Sequence, residues 1–179
     1  MQEVGSLRER AQPSTGHIDW HEWDETSIKV CVILDDASKM VLAGGEFFDT
    51  ENSKLIIDQL VERYWWLCPL RELILDHGNE FKAHRINDYG SWSSEFKDHL
   101  KKYGIEPILI RLKYSQTNRK LERFFGEYEN HRSAFSSFEE LINWYNDRPH
   151  GSLNFQSLET PEKAFRRKNA TGSRFYHRS

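Results

Sequence analysis

The chain has 179 residues, 37% hydrophobic and 30% charged, with a formal net charge of −3 at pH 7. That is enough for one α/β domain with a substantial core and short for two. It excludes a membrane-embedded chain, since no stretch approaches a span, and the first sixteen residues lack the apolar block of a signal peptide.

Cys31 and Cys68 have no metal-type spacing and read as reduced core residues, so a cytoplasmic protein is expected. The acidic balance argues weakly against a nucleic-acid binder, because phosphate affinity comes from an excess of Lys and Arg. Distribution matters more than the sum. Between Asp19 and Glu62 there are eleven acidic and three basic residues, whereas Lys163 to Ser179 carries six basic residues and no acidic one. An acidic region that gathers cations and a basic region that follows phosphates fit a metal-dependent nucleic-acid enzyme.

Residues 1–16 are polar, with Pro13, Ser14, Thr15 and Gly16 as loop formers, and read as a linker or tail. His17 to Trp23 alternates, with Ile18 and Trp20 on one face and His17, Asp19 and His21 on the other, as in a strand with one buried face. Ile28 to Leu34 is a β-branched second strand. Asp35 to Lys39 makes a turn, with Asp35 and Asp36 as turn residues, and Met40 to Phe48 is a third strand. Three strands with short links predict an antiparallel meander. Thr50 is the expected N-cap of a helix with Leu55, Ile56, Leu60, Val61 and Tyr64 at helical spacing, stopped by Pro69.

Glu72 to Leu75 is a short strand ending at Asp76, followed by a turn, His77-Gly78-Asn79-Glu80-Phe81, and a polar loop from Lys82 to Ser91. Ser93 or Ser94 caps the next helix, which carries Phe96, Leu100 and Tyr103 and stops at Gly104. Glu106 to Leu112 is the last strand. In the helix that follows, Leu121, Phe124, Phe125 and Tyr128 form an apolar stripe with Asn118, Glu122 and Glu129 just beside it. Arg119 and Arg123 fall on its open side, and Arg111 to Arg123 holds five basic residues against one acidic. Ser136 and Glu139 form a capping box for a helix with Phe138, Leu141, Ile142 and Tyr145. The order predicts an α/β domain around a mixed five-stranded sheet, three antiparallel strands and then two parallel, flanked by helices over residues 17–165, with a basic tail at 166–179.

Asp19 in mid-strand, Asp76 at a strand end and Glu122 on the helix after the last strand are each placed to point to one end of the sheet. Hard divalent ions such as Mg²⁺ or Mn²⁺ take oxygen ligands and keep water, so two or three carboxylates and a substrate phosphate suffice as ligands. Two such ions, about 3.5–4 Å apart, serve in-line phosphoryl transfer.

Five segments extend this reading: His-Ile-Asp-Trp at 17–20, Leu-Asp-Asp-Ala-Ser-Lys at 34–39, Leu-Asp-His-Gly-Asn-Glu-Phe at 75–81, Ser-Gln-Thr-Asn-Arg-Lys-Leu-Glu-Arg-Phe at 115–124, and Trp-Tyr-Asn-Asp-Arg-Pro-His-Gly-Ser-Leu at 144–153 with Thr160-Pro161. In this order they resemble the catalytic core of the retroviral-integrase superfamily, most closely the integrase-like transposases of prokaryotic insertion sequences. The resemblance implies a ribonuclease H-like fold and an acidic triad at Asp19, Asp76 and Glu122. It also implies cleavage of DNA at element ends followed by attack of the freed 3′-hydroxyl on target DNA, and self-association. By the same resemblance Lys113, Asn118, Arg119, Lys120, Arg123, Arg148 and His150 lie near DNA, mostly as backbone contacts.

The chain departs from the pattern in two places. Forty-five residues separate Asp76 from Glu122, a long interval, and Arg119 stands where related transposases usually have Gly. Either Arg119 displaces Glu122, or the helix begins earlier and Arg119 adds a phosphate contact; the second is the expectation. Rival readings of the residues are a transition-metal site at His17, Asp19 and His21, which lacks a fourth ligand, and His77 as an extra polar group beside the triad. Glu80 and Glu129 read as solvated, and Trp65, Trp66, Trp92 and Trp144 as core or interface area. Rival functions are a nuclease or resolvase of the same fold, or a catalytically silent DNA-binding or assembly module. No helix-turn-helix or zinc-finger pattern precedes Asp19, so recognition of element ends is expected elsewhere.

Overall fold

Strand β2 (Lys29–Asp35) sorts the core into two layers, because successive side chains of a strand point to opposite faces. Cys31 and Ile33 point one way, and Val30, Val32 and Leu34 the other. All five are essentially inaccessible to solvent, as a central strand covered on both sides requires. The computed structural model describes residues 14–23, 26–50, 52–64, 70–75, 81, 94–109 and 115–172, the side chains of 115–118, 155 and 170–172 excepted. The remaining strands are β1 (Thr15–Glu22), β3 (Val41–Phe47), β4 (Glu72–Leu75) and β5 (Glu106–Leu109). The helices are α1 (Ser53–Tyr64), α2 (Glu95–Lys102), α3 (Ser115–His131), α4 (Phe138–Asp147) and α5 (Pro161–Gly172).

The sheet order is β3-β2-β1-β4-β5, antiparallel across β3, β2 and β1 and parallel across β1, β4 and β5. Cys31, Ile33 and Ile18 pack with Ile56, Ile57 and Leu60 of α1 and Phe96 and Leu100 of α2. On the other face Val30, Val32 and Leu34 meet Leu121, Phe124, Phe125 and Tyr128 of α3 and Leu141, Ile142 and Tyr145 of α4. The apolar stripe expected on α3 is therefore the surface that joins it to the sheet.

Caps decide the helix ends. Ser94 Oγ accepts the Lys97 N–H at 3.1 Å to start α2, and Gly104, at φ +69°, lies just beyond its end. The box on α4 is displaced by one residue from the expected Ser136 and Glu139. Ser137 is the N-cap, its Oγ accepts the Glu140 N–H at 3.2 Å, and the Glu140 carboxylate accepts the Ser136 N–H at 2.8 Å. Helix α1 begins at Ser53, later than a Thr50 cap implies, and the Ser53 hydroxyl accepts the Trp20 indole N–H at 3.0 Å. Strand β1 begins at Thr15, two residues before the expected start. Helix α5 continues to Gly172 and so takes in the first residues of the expected tail. Among the described residues no helix is long and apolar enough to cross a membrane.

Candidate active site

The register of β1 on β2 pairs His17 with Leu34, Asp19 with Val32 and His21 with Val30. Paired residues point to the same face, so the polar row of β1 lies on the α3 side of the sheet. Asp19 is half-buried there, and its Oδ1 accepts the Trp20 N–H at 2.8 Å. Burial and, after it, the charge of Asp19 push the neighbouring Cys31 thiol well up.

Two contacts orient α3 over this row. The His21 ring stacks on Phe125, with centroids 4.6 Å apart and 17° between planes, and its Nε2 donates to Glu129 at 2.8 Å. Glu122 lies seven residues before Glu129, about 20° away around the helix, so it occupies the flank of α3 that faces β1. Near its start α3 is tied through Lys120 and Asp36 to His17, so it runs in the same direction as β1. Helix α3 is continuous from Ser115, so Arg119 lies within it and is exposed, and it does not interrupt the backbone before Glu122.

The parallel register of β1 on β4 runs from Thr15↔Glu72 to Ile18↔Leu75. In the chain these last paired residues are followed by Asp19 and Asp76. Asp76 itself lies outside the described residues, as do Lys113, His77, Glu80, Cys68, Trp65, Trp66, Trp92 and the side chain of Asn118.

The opposite flank of α3 is cationic. Lys120 Nζ donates to Asp36 Oδ1, which also takes His17 Nε2 at 2.7 Å, and Lys39 Nζ donates to the Asp36 carbonyl. The His17 hydrogen bond first, and Lys120 and Lys39 after it, hold the Asp36 carboxyl well below the usual carboxylate range. Arg123 is exposed. Arg148 is turned inward: its guanidinium lies 4.5 Å from the Trp144 ring centroid and pairs with Glu127 at 2.7 Å. His150 is buried, with Ser152 Oγ 2.9 Å from its Nδ1, and burial, then Arg123, Arg148 and Lys39, lowers its pKa. Trp144 is half-buried and packs against Phe135 and His131.

Sequence reasoning missed Lys39 and the part played by Asp36. Both were visible in the Asp-Asp-Ala-Ser-Lys turn, but their partners lie on another element. Asp35, read as a turn residue, is fully buried; it accepts the Ser38 N–H at 2.8 Å and Oγ at 2.7 Å and pairs with Lys168 of α5 at 3.1 Å.

Asp19 and Glu122 each offer carboxylate oxygens, the hard donor type that Mg²⁺ or Mn²⁺ takes together with water and substrate oxygens. His17 and His21 each spend Nε2 on a carboxylate, Asp36 and Glu129. Among the described residues no group of three or more His, Cys, Asp or Glu side chains converges to hold an ion.

The catalytic core domain of BIV integrase aligns with this structure at a TM-score of 0.64, over 88% of this chain and 97% of that one, with 18% sequence identity. The likeness, together with the strand order, defines the fold as the ribonuclease H-like fold of integrase catalytic cores. No family model and no curated protein matches the sequence.

Proposed function

We propose that the chain is a metal-dependent polynucleotidyl transferase of the integrase and transposase kind, nearest to those of insertion sequences. It cuts DNA at the ends of an element with water and joins the freed 3′-hydroxyl to target DNA. The supporting observation is the meeting of three elements: β1 carries Asp19, Asp76 follows the last paired residue of β4, and α3 turns the Glu122 flank toward β1.

Asp19, Asp76 and Glu122 would hold Mg²⁺ or Mn²⁺, two ions in the full site, which when bound activate the attacking oxygen and stabilise the leaving one. The apolar stripe of α3 and the His21–Phe125 stack hold Glu122 in place. Arg119, Lys120 and Arg123, with Lys113 and Asn118, form the DNA-facing group, and contacts to phosphate position the duplex without reading its sequence. Arg148 and His150 support that surface from beneath. The protein acts as a homo-oligomer on paired DNA ends in the cytoplasm.

The test is a Mn²⁺-supported cleavage and strand-transfer assay on duplex DNA. Asp19→Asn, Asp76→Asn and Glu122→Gln should each lower joining at least about 100-fold while leaving the fold intact. Cleavage without joining would favour the nuclease or resolvase reading. DNA binding without cleavage would favour the silent module, and wild-type joining by Glu122→Gln would remove Glu122 from the site.

A further inference from the structure

We propose that Lys39, Lys120 and Arg123 form a second phosphate-binding site, across α3 from Glu122, that takes a backbone phosphate of bound nucleic acid. The choice of nucleic acid rests on the function proposed above; the phosphate chemistry stands on the cluster itself. Lys120 is two residues from Glu122 and therefore about 200° round the helix, on the other side of the apolar stripe. The two sites are thus separated by the body of α3. Its width, about 10 Å, corresponds to about three nucleotides of one strand.

Four elements bring charge to this place: the turn between β2 and β3, α3, the end of α4, and α5. The charged groups there are Lys39, Lys120, Arg123, Arg148 and Lys168 against Asp35, Asp36 and Glu127, with His17 and His150 beside them. Asp35 is matched by Lys168, Asp36 by Lys120 and Glu127 by Arg148. Lys39 and Arg123 make up the cationic excess. Lys39 is held in the left-handed backbone region at φ +63°, which brings its ammonium beside that of Lys120 on a single aspartate. Two ammonium groups crowded at a half-buried site repel each other, and an anion placed between them removes the repulsion. The state of Lys39 agrees: burial first, and the charge of Lys120 against the pull of Asp36, bring it down to about 8. A phosphodiester matches the cluster in charge and supplies acceptor oxygens to ammonium and guanidinium donors. Since His150 is disfavoured as a cation by burial, Arg123, Arg148 and Lys39, it serves here as a neutral neighbour.

The experiment uses the full chain, with lysine side-chain NMR to follow Lys39 and a salt series of binding to a short DNA duplex. Free Lys39 should titrate near 8 and move upward by about one unit with inorganic phosphate or with duplex. Lys39→Gly, which suits the left-handed backbone, and Arg123→Gln should each make the slope of log affinity against log salt shallower by about 0.9, while Lys39→Arg keeps it. Mn²⁺ affinity should not change in Lys39→Gly or Lys39→Arg. If phosphate moves Lys39 but duplex does not bind, the site stands and the DNA reading falls. If duplex binds with unchanged slopes and an unmoved Lys39, the DNA reading stands and the site is overturned.

Discussion

The His21 ring of β1 lies nearly parallel to the Phe125 ring of α3, 4.6 Å away, on the face of the strand that also carries Asp19. A stacked pair is worth about 0.5–1.5 kcal/mol, or about two- to thirteenfold in an equilibrium it biases. Phe125→Leu keeps apolar volume in the core and removes the stack. Mn²⁺ affinity, measured by titration calorimetry, should fall by about two- to thirteenfold, with a small loss of thermal stability. Unchanged affinity would assign the placement of Glu122 to the apolar stripe alone.

The pair of Asp35 and Lys168 fastens α5 to the turn after β2. Lys168→Met leaves a fully buried carboxylate with only the Ser38 donors, and unfolding in urea should show a loss of about 1–3 kcal/mol. In a double-mutant cycle with Asp35→Asn the two losses should not add. Additive losses would show that α5 is held elsewhere.

Asp36 makes the fold sensitive to acid. Its folded pKa lies below the unfolded value of about 3.9, so its stabilisation is complete above that value and is lost as pH falls through the folded pKa. The stability gap between wild type and Asp36→Asn should hold steady above about pH 5 and narrow below about pH 4. A gap that stays wide in acid would exclude the charged Asp36 as its source.

Arg148 joins α4 to α3 through Glu127 while covering Trp144, and the Arg148 hydrogen bond lowers the Glu127 pKa. Lysine lacks the planar fork and stacks less well, so Arg148→Lys should cost about 1–2 kcal/mol of stability. The salt slope of DNA binding should keep its wild-type value. A shallower slope with full stability would make Arg148 a direct phosphate contact.

Local patterns carried much of the fold. Alternation placed His17, Asp19 and His21 on one face of β1, and the 3.6-residue period of Leu121, Phe124, Phe125 and Tyr128 marked the face that α3 buries. Where a local pattern was degenerate the sequence was silent. Ser136-Ser137 followed by Glu139-Glu140 allows two capping boxes, and burial of Leu141 and Ile142 goes with the second.

The sequence by itself determined the element order and the stretches that carry Asp19 and Glu122, because those rest on neighbours within a few residues. Only the tertiary structure decided which flank of α3 faces β1, that Lys120 meets Asp36 across 84 positions, and that Lys168 reaches Asp35 across 133. Hydrogen bonds and charge pairs of that separation leave no periodicity in the chain. They arise when the apolar faces of α3 and α5 are buried, and that packing then dictates which polar groups remain within reach of one another.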